Sequence, residues 1–456
     1  MHLSQVAQAL NAKVSDNESL NLNAMALDGV AINTREDCEG KLFVALKGEN
    51  FDAHDYLEQA EKSGAIAVLL EREAQSNLPS IVVDDTHLAL KDLAAWWRRQ
   101  FAIPVIGITG SVGKTTVKEM VGAIFAELGQ GVVTKGNLNN EIGLPLTILR
   151  LSQSDRYAVI EMGMSNAGEI FRLSNIARPT IALVNNAAPA HLEGLGSVAA
   201  VAEAKGEIFS GLAEDGVAII NLDDEYSQRW IELAGKRRCL TFALDQKADV
   251  TAKIKTIEPQ LQLKVNALGK KFNVSLNAVG EHNARNALAA ITISIANGIS
   301  VDKIVSGLSK FAPIKGRLNI QEVASRRLID DTYNANPASM RAAINVLSEF
   351  EQNTLILGDM GELGATVRQA HFELGEYAAN HGVDQLIACG EYAQDVARGF
   401  AKKAQIFSKQ ADLIESLTQD GLGSTILVKG SRTARMELVV DAIKTLLDQK
   451  PSLGEG

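Results

Sequence analysis

Three consecutive stretches decide how this chain is read: IPVIGIT (103–109), GSVGKTT (110–116) and VKEMVGAIFAELG (117–129). The first is short, apolar and β-branched, the pattern of a strand covered on both faces. In the third, Val117, Val121, Ile124, Phe125 and Leu128 share one helical face, and Gly129 can end the helix. Between them lies a glycine-rich turn that opens a helix. Glycines let backbone N–H groups close on phosphate oxygens, and the helix N-terminus adds its positive end. Lys114 brings a point charge to the β and γ phosphates, and Thr115 can set its hydroxyl on Mg²⁺. The longer pattern G-x-x-x-x-G-K-[ST] would place its first glycine at 108, where this chain has Ile108. The bland alternative is a strand–helix turn with a surface lysine; the flanking elements favour the phosphate loop. No Asn-Lys-x-Asp segment follows, which favours ATP over GTP.

Working outward, YAVIE (157–161), TIALV (180–184) and VAIIN (217–221) read as further strands with helices between them. TLILGD (354–359), QLIACG (385–390) and TILVKG (425–430) repeat the theme, each reaching a glycine or polar turn at its carboxyl end. Ligands bind beyond such ends in open parallel sheets. The start is different: KLFVALKG (41–48) and AIAVLL (65–70) are short strands flanking the helical AHDYLEQAEKSG. These patterns predict an α/β protein of three units, 1–86, 87–313 and 314–456, without linkers rich in proline or serine.

The chain has 456 residues, 46% apolar and 22% charged, with a net charge of −10, which excludes wholesale disorder and disfavours nucleic-acid backbone as a partner. No apolar run approaches the roughly 20 residues that span a bilayer. The opening MHLSQVAQALNAKV lacks a secretory pattern, and Cys38, Cys239 and Cys389 lie too far apart for a metal knuckle or disulfide framework. The expectation is a cytoplasmic protein without membrane insertion.

Glu161 ends a buried strand, where a phosphate-loop protein keeps a carboxylate for Mg²⁺; the alternative is a cap for the next helix. His191 follows the strand TIALV and is a candidate ligand or a structural histidine, and Lys205 in VAAVAEAKGEIF reads by itself as a solvated helix lysine. The residues alone give an ATP–Mg²⁺ site without saying what the phosphate is used for.

The ordered set TGSVGKTT, GNLNNEIGLPLT (136–147), EMGMS, AHLEGLGS, EAKGEIF, GEHNARNALAA (280–290), KGRLN (315–319) and DDTYNANPASM (330–340) resembles the Mur ligase family. The resemblance runs from INTREDCEGKLFVALKGENFDAHDY (32–56) to VKGSRTARMELVV (428–440), and that family uses a shortened G-x-x-G-K-[ST]-[ST] loop. It implies a small α/β substrate domain, a central parallel-sheet ATPase domain and a Rossmann-like C-terminal domain. It also implies an ATP-dependent ligase of cytoplasmic peptidoglycan precursor synthesis, a monomer joining D-alanyl-D-alanine to UDP-N-acetylmuramoyl-tripeptide through an acyl phosphate. Carried over, Gly110, Gly113, Lys114, Thr115 and Thr116 hold phosphate, and Thr115 and Glu161 the first of two Mg²⁺ ions. His191 matches a ligand of the second ion, and Lys205 matches a lysine that becomes carbamylated and so turns anionic. Asn283 and Asn286 match an adenine-contacting pair, and Arg317 and Asp331 match residues closing over ribose and phosphates. Thr34, Arg35, Lys47 and Gly48 fall where the UDP-sugar is received, and Asn139 and Asn140 are further substrate candidates. Asn334, Asn336 and LGDMGELG (357–364) lie where the dipeptide enters. Rival readings are the sister ligase that adds the third amino acid, diaminopimelate or lysine, and a phosphate-loop ATPase or kinase that makes no peptide bond. Folate polyglutamate synthase shares the ATP machinery but lacks the first unit.

Overall fold

The computed structural model describes residues 1–15, 22–190, 192–256 and 260–448. Among them three sheets form, in chain order. The first holds β1 (Val14–Ser15), β2 (Val30–Ala31), β3 (Leu42–Val44), β4 (Ala67–Leu70) and β5 (Ser80–Val82), ordered β1-β5-β4-β3-β2. All pairs are parallel except β1 with β5. The central sheet holds β6 (Val105–Thr109), β7 (Val132–Val133), β8 (Ala158–Glu161), β9 (Ile181–Val184), β10 (Val217–Asn221) and β11 (Arg238–Ala243). It continues with β12 (Val250–Thr256), β13 (Leu261–Ala267) and β14 (Lys270–Leu276), in the order β14-β13-β12-β11-β10-β9-β6-β8-β7. The strands from β7 to β12 are parallel, and β13 and β14 close the edge as an antiparallel meander. The third sheet runs β15-β16-β20-β17-β18-β19 through β15 (Asn319–Val323), β16 (Arg326–Asp331), β17 (Asn353–Leu357), β18 (Gln385–Cys389), β19 (Ala404–Phe407) and β20 (Thr425–Lys429). Only its β15–β16 pair is antiparallel.

Each apolar run read as a strand contains one, most of them shortened by one or more residues at an end, while VAIIN (217–221) is a strand over its whole length. The β12–β14 meander carries no sequence expectation. Its strands alternate: along β13, Leu261, Leu263, Val265 and Ala267 are buried, while the intervening Gln262, Lys264 and Asn266 are not. That is the signature of a sheet with one covered face, quite unlike the continuous runs of the buried parallel strands.

The first and central sheets share one core. A continuous apolar cluster runs from Leu3 and Leu42 through Leu90 and Leu93 to Ile160 and Phe209. The helix Thr86–Arg98 forms the shared wall. Its buried Arg98 donates to the Ala177, Phe101 and Arg178 carbonyls at 2.8, 2.7 and 3.2 Å, and Trp97 donates to Leu151 at 3.0 Å. Burial drops the Arg98 pKa to about 10, and the three carbonyls satisfy the guanidinium in place of water. Both faces of the third sheet have cores of their own. Among the described residues, no helix is long and apolar enough to cross a membrane.

In the third unit, the helices Val367–Asn380 and Ala393–Phe400 cross at two glycines. A Cβ on Gly375 would sit 2.0 Å from the Val396 carbonyl oxygen, and one on Gly399 would sit 2.0 Å from that of Phe372. Backbone on both sides leaves nothing free to yield. Gly375→Ala is therefore expected to cost about 1–3 kcal/mol by overpacking, measured as a fall in the urea midpoint with the slope unchanged. A loss within experimental error would contradict the close crossing.

Candidate active site

Strand register assembles the site. Ile108 on β6 pairs with Glu161 on β8 and with Leu183 on β9, and Thr109 pairs with Val184. Gly110, Glu161 and Asn185 are thereby brought to the same carboxyl edge of the sheet, the place where open parallel sheets bind ligands. The turn from β6 opens the helix Lys114–Phe125, with Gly113 at φ 80°. A side chain on Gly113 would be strained there, and its Cβ would lie 2.4 Å from the Asn286 Oδ1.

The loop is braced by residues that sequence reading did not single out. Asn186 Oδ1 accepts from the Val112 N–H at 2.9 Å, while Asn185 and Asn186 both donate to the Val112 carbonyl at 3.0 Å. Ser111 N–H donates to the Asn186 carbonyl at 3.0 Å. Asn185 also donates to Asn286 Oδ1 at 3.1 Å, and Asn286 donates to Asn283 Oδ1 at 3.2 Å. A buried amide chain thus runs from the loop to the helix Glu281–Ala296. The only sequence hint is a pair of asparagines directly after a buried strand.

Lys114 folds back on the loop, its Nζ donating to the Gly110 carbonyl at 2.5 Å. Burial lowers its pKa, opposed by the Glu161 and Glu362 carboxylates and reinforced by Arg317. Lys205 is 1% exposed, and burial pushes its pKa well below the usual lysine range, with Lys114 acting in the same sense. No hydrogen bond or ion pair to it is found among the described residues. Glu161 accepts from Asn139 Nδ2 at 2.7 Å through one oxygen; its other oxygen, Oε2, is buried without a partner. Arg317 reaches over from the third unit, with Nη2 donating to Thr115 Oγ1 at 3.1 Å, its guanidinium 4.0 Å over the Tyr333 ring and its Nε buried without a partner. Lys114, Thr115, Glu161, Lys205 and Arg317 therefore form one constellation. A cavity of about 200 Å³ opens beside it at the junction of the two units, lined by Thr116, Asn283, Phe311 and Arg317 among others.

Other expected residues are placed differently. His191 lies outside the described residues. Asp331 ends β16 beside Lys429 on β20, and their buried ion pair measures 2.6 Å. Burial raises the Asp331 pKa and lowers that of Lys429, each opposed by the other's charge. Asn336 caps the helix Pro337–Leu347, accepting from Ser339 N–H at 2.8 Å, and Asn334 is exposed. Asn140 closes the turn that leads into the helix Gly143–Ile148, its side chain accepting from the Ile142 and Gly143 N–H groups at 3.2 and 2.8 Å. In the first unit Lys47 and Gly48 form an exposed turn, the Gly48 N–H donating to the Phe51 carbonyl at 2.7 Å, and Thr34 and Arg35 lie in a neighbouring loop. Among the described residues, no hydrogen bond or ion pair joins these four to the phosphate loop.

The oxygen set fits a magnesium ion. Mg²⁺ takes hard oxygens, few of them carboxylates, and the orphaned Glu161 Oε2 and the Thr115 hydroxyl at the start of the loop's helix are oxygens of that kind. No cluster of three or more His, Cys, Asp or Glu side chains suited to a metal occurs among the described residues.

Fold and site together define a three-unit α/β phosphate-loop protein whose loop is met by residues of the third unit. In chain order, three segments match family descriptions: residues 26–98 "Mur ligase family, catalytic domain", 108–294 "Mur ligase middle domain" and 316–432 "Mur ligase, glutamate ligase domain". The chain is 42% identical over 452 residues to the UDP-N-acetylmuramoyl-tripeptide–D-alanyl-D-alanine ligase of Escherichia coli strain K12, spanning 97% of this chain and 98% of that one. Its structure is similar to that of MurF from Acinetobacter baumannii, at TM-score 0.90, 35% identity, and 98% and 99% coverage. A MurF ligase from Thermotoga maritima in complex with ADP gives 0.81 and 29%, with 93% and 99% coverage. The chain belongs to the Mur ligase family.

Removing Lys429 leaves the Asp331 carboxylate buried without its counter-charge. Lys429→Met is expected to lose about 3–5 kcal/mol of stability in chemical denaturation. Adding Asp331→Asn, which keeps an acceptor for Leu318 N–H at the 3.1 Å bond, should recover most of it. A single variant as stable as the parent would show that the pair is not buried as described.

Proposed function

We propose that this protein is the ATP-dependent ligase that joins D-alanyl-D-alanine to UDP-N-acetylmuramoyl-tripeptide in cytoplasmic peptidoglycan precursor synthesis. The observation that carries the chemistry is the constellation of Lys114, Thr115, Glu161, Lys205 and Arg317 where two units meet. The substrates follow from the named activity of relatives that cover almost the whole chain. The units divide as 1–86 for the UDP-sugar, with Thr34, Arg35, Lys47 and Gly48 receiving it, 87–313 for ATP and 314–456 for the dipeptide.

The tripeptide's terminal carboxylate attacks the γ-phosphorus of ATP, the bond to the β-phosphate oxygen breaks, and ADP leaves. The dipeptide amine then attacks the acyl phosphate carbon, phosphate departs, and the amine's proton passes to solvent or phosphate. Gly110 and the backbone N–H groups from Gly113 to Thr116 cradle the phosphates, and Lys114 turns from the Gly110 carbonyl to the β/γ oxygens. Arg317 neutralises charge from the opposite side, the role its unpaired Nε suits. Asn283 and Asn286 flank the base, close to the cavity at the unit junction. Asp331, fixed by Lys429, closes with Arg317 over the ribose and phosphates, Asn334 and Asn336 border the dipeptide's approach, and Asn139 orients Glu161. Magnesium held by Thr115, Glu161, His191 and a modified Lys205 would draw charge from the phosphates and hold two anions together.

Adding D-alanyl-D-alanine to enzyme, ATP and UDP-N-acetylmuramoyl-tripeptide should start phosphate release, and mass spectrometry should find the pentapeptide. Lys114→Ala should cut turnover by about 10²–10³ while leaving the fold intact. Phosphate release that ignores the dipeptide would instead favour an ATPase that makes no peptide bond.

Lys205 acts as a carbamate. Its neutral amine adds to CO₂ and loses a proton, giving an anion with two oxygens for a hard cation. A buried ammonium beside Lys114 without a counter-charge is the unfavourable alternative, and the same burial favours the neutral amine that carbamylation requires. Lys205→Arg and Lys205→Ala should both be nearly inactive, and formate or acetate should partly restore the alanine variant. A carbon-13 carbamate resonance from labelled CO₂ should appear in the parent and vanish in Lys205→Arg. An active arginine variant, or a parent without that resonance, would leave Lys205 an ordinary buried amine.

A further inference from the structure

His371 on the helix Val367–Asn380 is 1% exposed, and the scheme above does not use it. Its Nδ1 lies 2.7 Å from the Val367 carbonyl oxygen, and its Nε2 lies 3.0 Å from the Met360 backbone nitrogen. A carbonyl can only accept and an amide N–H can only donate. The ring is therefore neutral, with its single proton on Nδ1. Tyr392 lies against the imidazole, ring centroids 4.8 Å apart, and the helix is clamped one turn later by the Gly375 crossing.

Met360 sits at the root of a loop that leaves β17 for the central unit. Its neighbour Asp359 is tied on both sides: the carboxylate accepts from Glu391 and Tyr392 N–H at 2.8 and 3.1 Å, and the carbonyl accepts from Ser431 N–H at 2.9 Å. Two residues further on, Glu362 holds a left-handed backbone at φ 60°, a conformation that a glutamate keeps only when its surroundings impose it. Its negative charge is one of those that oppose the burial-driven lowering of the Lys114 pKa, and a Cβ at Gly364 would lie 3.6 Å from Glu193 Cα. The loop thus runs from the core of the third unit to the Glu193 segment of the central unit, and brings the Glu362 carboxylate to the junction between the two units.

We propose that His371 is a positioning residue for the incoming dipeptide: its Nε2 holds Met360, and through Met360 the loop that presents Glu362 at the unit junction. The inference rests on the reading that the dipeptide binds beside this loop. His371→Leu removes the acceptor and leaves the Met360 N–H buried and unpaired. His371→Gln offers a carbonyl oxygen in place of Nε2, whereas His371→Asn can still donate to Val367 but cannot reach Met360.

The test is steady-state kinetics on the full-length variants, paired with amide hydrogen exchange of residues 359–362 without substrates. His371→Leu should raise the KM for D-alanyl-D-alanine about ten-fold, with the KM for ATP and for the UDP-tripeptide nearly unchanged. Exchange at 359–362 should quicken in the leucine variant, and glutamine should restore both readings. Should leucine prevent folding, asparagine takes its place with the same expected result. A fall in kcat with every KM unchanged, a glutamine variant as impaired as leucine, or unaltered exchange would each overturn the proposal. If the parent forms no D-alanyl-D-alanine product, the substrate reading fails, and exchange alone decides whether His371 positions the loop.

Discussion

A phosphate loop binds through its own backbone, so its amides must stay bare toward the ligand while the rest of the loop is held rigid. Asn185, Asn186 and Ser111 meet that constraint. They occupy the Val112 N–H and carbonyl and the Ser111 N–H from beneath. The constraint also explains the bareness of Gly113, since a side chain there would collide with the amides of Asn286 and Asn185 that do the bracing. Because Asn286 bonds in turn to Asn283, the loop is coupled to a helix whose other neighbours line the junction cavity. Rigidity of the loop and shape of the cavity are thus consequences of one chain of buried amides, each satisfied by the next.

Much of this was legible before any coordinates. The strands that carry the site are short continuous apolar runs, and tertiary packing leaves such runs little choice, so β6, β8, β9, β17, β18 and β20 fall where the runs do. The glycine–lysine–threonine turn is equally plain, because only a few residue types let a backbone close on phosphate. Three things were not legible. The β12–β14 meander dilutes each strand with Lys, Thr and Asn on its open face, and a search for apolar runs passes over it. Asn185, Lys429 and His371 are polar residues whose partners lie far away in the chain, so nothing local distinguishes them from ordinary loop or strand-end residues. Asn336 and Asn140 show the opposite difficulty: an asparagine beside a site is also a common cap or turn residue, and here Asn336 caps a helix while Asn140 closes the turn before one.

The third unit meets the loop through Arg317, which belongs to the segment leading into β15 rather than to the central sheet. Gly316 just before it adopts φ 76°, and its N–H donates to Asp330 at 3.2 Å while its carbonyl accepts from Tyr333 N–H at 3.1 Å. The connection is therefore fastened to the third sheet, and movement of that sheet must carry Arg317 with it. A nucleotide bound between Asn283 and Arg317 would bridge the two units, which is the physical basis for a split site of this kind: neither unit offers a complete set of charges by itself.

Two polar groups at the site are buried and unsatisfied, and their signs are opposite: Glu161 Oε2 and Arg317 Nε. Each such orphan costs about 1–3 kcal/mol relative to a paired group, and a chain selected for stability alone would not keep both where the two units meet. They make sense together if the missing partners are a cation beside the carboxylate and an anion beside the guanidinium. Magnesium and a polyphosphate are such a pair, and they attract each other as well as the protein. The stability forgone on folding is then returned when the ligands bind, and the charges need no reorganisation at the moment of phosphoryl transfer. Lys205 extends the argument, because it is a buried amine beside Lys114 with no hydrogen-bond or ion-pair partner among the described residues, and the carbamate proposed for it would add a second anion beside the cation.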